Sequence, residues 1–176
     1  MELFDEQGFQ DTTAVQIAKR AGVTTRTFFR YFPDKQATLF ADAERLAAAL
    51  VQGILDAADV TEPLRTVVRV LAEFDWLGVG SRESQRRRDA MIASNQDLLE
   101  RELIKQQQMA NGFDSALRQR GVAPDTAELA TRVGIEVFRA AYRRWLAADD
   151  ETGLSVITGD VMSTLVTIVR ASASPM

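Results

Sequence analysis

A chain of 176 residues, 46% of them apolar and 26% charged, is long enough to bury a core of its own and too apolar to remain disordered. It has no Cys and no His, which excludes disulfide frameworks, thiolate or imidazole metal sites, thiol nucleophiles and histidine bases, and neither a metal, a cofactor nor a catalytic site is expected. The net charge is −4, yet residues 12–35 hold Lys19, Arg20, Arg26, Arg30 and Lys35 against Asp34 alone, so a polyanion is expected to meet that stretch.

Apolar residues recur with helical spacing throughout and nowhere alternate with period two, so the fold class is all-α. Gly and Pro punctuation marks about nine helices. The first three, at 1–7, 14–21 and 25–31, are short. In the second, Ile17, Ala18 and Ala21 form one face, and Gly22 stops the helix in a left-handed conformation before Val23 turns back under it. Small Ala18 lets the third helix approach, and Phe28 and Phe32 supply that helix's buried side. Thr24 or Thr25 caps it, leaving Thr25, Arg26, Thr27, Arg30 and Tyr31 outward. This is a helix-turn-helix whose second helix, about 10 Å long, suits a major groove about 12 Å wide. A solvated basic face on a protein that binds no DNA is the alternative.

Asp34 caps a fourth helix expected over 35–57, about 33 Å long, that links a head of residues 1–36 to a body of residues 37–176. Helices at 63–77, 84–95, 97–119, 126–147 and 154–171 complete a bundle of six. The last is apolar on two sides: Leu154, Ile157, Val161, Leu165 and Ile168 mark one face, and Val156, Met162, Val166 and Val169 spread beyond it. Such a helix needs a second cover, so a homodimer through 126–147 and 154–171 is expected, with burial inside a monomer as the alternative. Phe74, Trp76, Met91, Leu98, Met109, Phe113, Phe138 and Tyr142 are candidates to line an apolar cavity, with Asn95, Asn111 or Glu136 as polar anchors; core packing is the alternative for each. The longest uninterrupted apolar run, Leu46 to Val51, falls far short of the roughly 20 residues that span a bilayer, and the acidic N-terminus lacks a signal-like apolar stretch. The expectation is a cytoplasmic protein with no membrane contact.

LFDEQGFQDTTAVQIAKRAGVTTRTFFRYFPDKQATLF, residues 3–40, resembles the N-terminal signature of the tetracycline-repressor (TetR) family. The resemblance implies a ligand-responsive transcriptional regulator, a repressor, that binds a palindromic operator in double-stranded DNA as a homodimer and responds to a small apolar effector held in the body. It also implies that Thr13, Thr24 and Lys35 touch phosphates while Thr25, Arg26 and Thr27 read bases. Arg26 would then contact guanine with two hydrogen bonds, a phosphate or solvent contact being its alternative. Two departures stand out. Phe29 and Tyr31 occupy positions where many relatives have Tyr and His, so Phe29 cannot donate to a phosphate and Tyr31 substitutes in part. The family's first helix is normally preceded by several more residues, so the expectation is either a trimmed chain or a short start, and only a complete chain would have a stunted first helix and reduced DNA affinity; the alternative function is a helical small-molecule-binding protein that does not bind DNA in this form. The stretch from Arg86 to Asp150 is similar to a subgroup associated with acyl-CoA-like ligands, in which Arg86, Arg87 and Arg88 would meet phosphates or else form a solvated face.

Overall fold

Local capping sets out the head in the computed structural model, which describes residues 2–148 and 152–173. The expected start of the first helix, Met1, lies outside these; α1 is Glu2–Gln7, α2 is Ala14–Arg20 and α3 is Thr25–Tyr31. Thr13 caps α2 through a reciprocal pair, its Oγ1 accepting the Gln16 amide while Gln16 Oε1 accepts the Thr13 amide at 2.7 Å. At Gly22, φ is +69°, and the Val23 amide donates back to the Ala18 carbonyl at 3.0 Å, which closes α2 and turns the chain. Thr24 then caps α3 by accepting the Thr27 amide at 3.0 Å. Ala18 and Phe28 are both buried where the two helices meet.

The link is not one continuous helix. Asp34 accepts the Ala37 amide at 2.8 Å, as a cap should, but the turn it opens is a 3₁₀ helix, Gln36–Phe40, and α4 begins only at Ala43 and runs to Leu55. The Lys35 carbonyl accepts both the amide and the hydroxyl of Thr38, which fixes the tighter i to i+3 pattern. A kinked link whose α-helical part is about 20 Å long replaces the expected rod.

The body follows as α5 (Pro63–Glu73), α6 (Trp76–Val79), α7 (Arg82–Ala93), α8 (Gln96–Gln119), α9 (Pro124–Ala147) and α10 (Leu154–Ala173). The helix expected over 63–77 breaks because Phe74 is extended and Asp75 caps a new turn through the Gly78 amide at 2.9 Å, so seven α-helices, counted among the described residues, follow the head. α5 packs on α9 at Gly134, where a Cβ would stand 2.7 Å from Val67 Cγ1. α8 lies against α4 and α9, and α10 against α9 and α5, around Leu50, Ile54, Leu71, Phe113 and Leu117.

A second core joins head to body: Phe4 and Phe9 with Leu39 and Phe40 pack on Ile92 of α7 and Leu98 of α8. Arg101 of α8 grips both oxygens of Asp34 at 3.1 and 2.8 Å, Arg87 of α7 pairs with Asp5 at 3.2 Å, and Gln10 donates to Asn95 at 2.7 Å. Burial pushes the Asp34 carboxyl up, but the Arg101 guanidinium and the Ala37 amide outweigh it and hold it below its ordinary value.

α10 is long and apolar enough, by length and composition, to cross a membrane, and only 17% of Leu154–Ser172 is buried. Counting uninterrupted runs missed it because Ser and Thr break the apolar sequence. Their hydroxyls are consumed within the helix: Thr158, Ser163, Thr164 and Thr167 each donate to the carbonyl four residues back. Leu154, Thr158 and Val161 face the bundle and are buried; Val156, Ile168 and Val169 are exposed.

Candidate nucleic-acid interface and effector pocket

α3 presents Arg26, Phe29, Arg30 and Tyr31 to solvent, with Thr25 and Thr27 half-buried at its start. Arg26 has no hydrogen bond or ion pair with another described residue, so its guanidinium is available. Arg30 lies 4.8 Å above the Tyr31 ring and donates to its hydroxyl at 3.1 Å, which makes the two a flat, cationic platform at the end of α3. The Thr24 and Thr27 hydroxyls are 2.9 Å apart, sharing one proton and leaving the other for an outside acceptor.

Two of the expected contacts, Thr13 and Lys35, are otherwise engaged in this structure, as is the neighbouring Arg20. The Thr13 hydroxyl both donates to Gln16 Oε1 at 2.9 Å and accepts the Gln16 amide, so it serves the cap of α2. Lys35 Nζ donates to the carbonyls of Phe9, Gln10 and Thr12 at 2.6, 3.0 and 2.8 Å and stands 4.5 Å from the Phe9 ring centroid. All three ammonium protons are thereby spent on the bend between α1 and α2, and a phosphate would have to displace a carbonyl. Arg20 is paired with Glu6 at 2.7 Å and Glu2 at 3.3 Å, which leaves Lys19, Arg26 and Arg30 as the exposed cations of the head without a carboxylate partner among the described residues. Lys19, named in the basic stretch but not among the expected contacts, is exposed at the end of α2.

The eight apolar candidates for a cavity lining pack into the cores instead, while the polar candidate Asn111 borders a cavity. Phe74, Phe138 and Tyr142 do come together, but Trp76 fills the space between them, with ring centroids 5.2, 5.2 and 5.4 Å away. Trp76 Nε1 donates to the Leu71 carbonyl at 2.7 Å, and buried Gln85 Nε2 holds the Trp76 carbonyl at 2.7 Å while its Oε1 accepts the Tyr142 hydroxyl. Burial first, then the Asp89 and Glu102 carboxylates, push the Tyr142 phenol up against the opposing pull of Arg88, so it stays a neutral donor. Phe113 is wholly buried in the main core, against which Met109 packs. Met91 and Asn95 sit at the junction with the head, where Asn95 Nδ2 donates to the Met91 carbonyl at 2.8 Å.

Two cavities lie elsewhere: one of about 220 Å³ between α8 and α9, lined by Asn111, Asp114 and Thr131 among others, and one of about 550 Å³ between α5 and α10, bordered by Asp59, Arg65, Arg69 and Met162. None of the eight apolar candidates lines either, because large apolar side chains in a folded bundle fill space against one another. The arginine run is engaged within the chain while its side chains stay 30 to 47% exposed: Arg86 reaches the Ala148 carbonyl at 3.4 Å, Arg87 pairs with Asp5 and Glu83, and Arg88 pairs with Glu102 at 3.0 Å.

Residues 1–41 match the model of the bacterial regulatory proteins of the tetR family. Over 99 residues the chain is 34% identical to the Mycobacterium tuberculosis protein named for the transcriptional regulation of mycofactocin biosynthesis, MftR, a match spanning 56% of this chain and 50% of that protein. The chain therefore spans half the length of that relative. Crystallised Thermus thermophilus FadR, a TetR family transcriptional repressor in complex with lauroyl-CoA, aligns over 94% of this chain and 89% of its own at 26% identity and a TM-score of 0.49. The head of this all-α chain is thus similar to the bacterial regulatory proteins of the tetR family, and 99 residues of the chain are similar to MftR.

Proposed function

We propose that the chain is a ligand-responsive transcriptional regulator of the cytoplasm, acting as a repressor that binds a palindromic DNA operator as a homodimer. The observation that carries this reading is α3: a seven-residue helix, capped by Thr24 and braced by Ala18, with a free Arg26 and the Arg30–Tyr31 platform on its exposed side. In this reading Thr24 meets a phosphate, Thr25, Arg26 and Thr27 face base edges, and Thr13 and Lys35 act chiefly by fixing the approach of α2 and its preceding bend. The head is residues 1–36 and the effector and dimer domain is 37–176.

The exposed Leu129 of α9 and the exposed Val156, Ile168 and Val169 of α10 support a two-fold interface through these helices, which would place two reading heads on one operator. The effector is a small apolar molecule, an acyl-CoA-like one included, whose apolar part replaces the Trp76 side chain among Phe74, Phe138 and Tyr142.

Selection of bound sequences from a randomised duplex library, at two salt concentrations, tests the reading. A near-palindrome is expected to enrich. Arg26→Ala is expected to relax one position in each half-site, with about 1–3 kcal/mol of discrimination lost there. Equal weakening across all bases would reduce Arg26 to a phosphate contact. Absence of any enriched sequence would favour a small-molecule-binding protein without DNA.

A further inference from the structure

Arg88 of α7 grips the link where the link departs from an α-helix. Its Nε donates to the Leu39 carbonyl at 3.3 Å, its Nη2 donates to Glu102 of α8 at 3.0 Å, and its guanidinium carbon lies 5.4 Å from the Phe40 ring centroid. One planar group with donors in a fixed fork thereby sets the separation of the link from α8. Arg88 is 49 residues from Leu39 in the chain, so this tie belongs to the folded body and not to the link's own sequence.

The link itself is close to an α-helix. Lys35, Ala41 and Asp42 have right-handed helical dihedrals, and Asp42 departs chiefly through a ψ of −4° where an α-helix has about −42°. Leu39, Phe40, Ala43, Leu46, Leu50 and Ile54 recur at helical spacing along one stripe, so an α-helix through residues 36–42 would keep Leu39 and Phe40 on the side of the core. That helix would give the Ala43 amide to the Leu39 carbonyl and the Leu39 amide to the Lys35 carbonyl. Both carbonyls carry other donors: Arg88 Nε on the first, and the Thr38 amide and hydroxyl on the second, at 3.3 and 2.7 Å. A short 3₁₀ stretch beside an α-helix is a common form of hinge. The two geometries rise about 2.0 and 1.5 Å per residue, so converting the five residues of Gln36–Phe40 would shorten the link by about 2.5 Å. It would also rewind the link by about 20° per residue, and the head would move against α7 and α8.

We propose that Arg88 is the body's latch on the link: it holds residues 36–42 out of an α-helix, and its withdrawal lets α4 extend back toward Asp34 and carries the head to a new position. Gln85 stands one turn earlier on α7 and is bonded to both Trp76 and Tyr142, so a molecule that displaces Trp76 acts on the same stretch of helix that carries Arg88. That last step rests on the effector reading given above; the latch does not.

Nuclear Overhauser contacts in the isotope-labelled full chain test it, because a 3₁₀ turn brings an α-proton near the amide of the second residue on and an α-helix brings it near that of the fourth. In Arg88→Met, whose stem still covers Phe40, the contacts from Leu39 Hα to the Ala43 amide and from Lys35 Hα to the Leu39 amide are expected to strengthen at the expense of the shorter-range ones. Hydrogen exchange at Ala43 is expected to slow. Arg88→Lys keeps a charge for Glu102 but has one nitrogen where Arg88 uses two; it is expected to move the same way and carries the test if the Met variant does not fold. An unchanged pattern would overturn the proposal. Fewer contacts with faster exchange would overturn it too, by showing that Arg88 merely supports the link. Selection of bound duplexes reads the head: Arg88→Met is expected to favour a half-site separation different from that of the wild type, and an unaltered separation with a straightened link would refute the displacement. No enriched sequence from the wild type would count against the DNA-binding reading alone, with the latch decided by the link's own contacts.

Discussion

Lys35 shows how a single cation can be functional in sequence and structural in space. Its three carbonyl partners lie 23 to 26 residues away, which no local pattern records, whereas a threonine cap on α3 was legible as Thr24 or Thr25 because it closes over three residues. Lys35→Met retains the stem beside Phe9 and deletes the donors. It is expected to destabilise the head by about 1–3 kcal/mol and to speed hydrogen exchange through the bend between α1 and α2. DNA binding should fall on all sequences alike while its salt dependence keeps the wild-type slope. A slope smaller by about one would mean instead that Lys35 neutralises a phosphate. Arg26 needed no such long-range knowledge: a residue on the outer face of a short helix, flanked by the buried Phe28, is exposed in any fold that keeps the helix.

Among the elements, the α5–α9 contact is the least forgiving. A methyl group on Gly134 would meet Val67 Cγ1 at 2.7 Å and Val67 Cβ at 3.0 Å, and a β-branched side chain fully buried in the core cannot swing aside. Gly134→Ala is expected to cost about 1–3 kcal/mol in urea denaturation, and Val67→Ala in the same chain to recover part of that loss. Most helices were legible to within two residues because Gly22, Pro63, Gly121 and Pro124 mark their ends. The breaks at 35–42 and at Phe74 were not. The first depends on a side-chain hydroxyl outbidding a helical pattern, and the second on the Trp76 ring being held by Leu71, Phe138 and Tyr142, contacts that exist only after the bundle has formed.

In the whole molecule, head and body are coupled through α7 and α8, and the Asp34–Arg101 pair makes part of that junction sensitive to pH. Because the folded-state pKa of Asp34 is depressed from 3.8, its contribution is present above that value and disappears as pH falls through the lower folded-state value. Asp34→Asn should therefore lose at most about 1 kcal/mol near neutral pH, since both side chains remain about a third exposed, and the gap to wild type should close as pH falls below 3.8 and through the lower folded-state value. The all-α class and the turn between α2 and α3 could be taken from sequence because both are local. The α8–α9 cavity could not, since its lining comes together from two different helices. The shared core carries a consequence for inheritance. An exchange between relatives that swapped only residues 1–41 would carry Phe4, Phe9, Leu39 and Phe40 but leave Ile92 and Leu98 behind. Such a chimera stays whole only if its new body offers side chains of matching shape, so a lineage that acquires a different operator preference by recombination must also inherit, or re-evolve, the surface on which its reader rests.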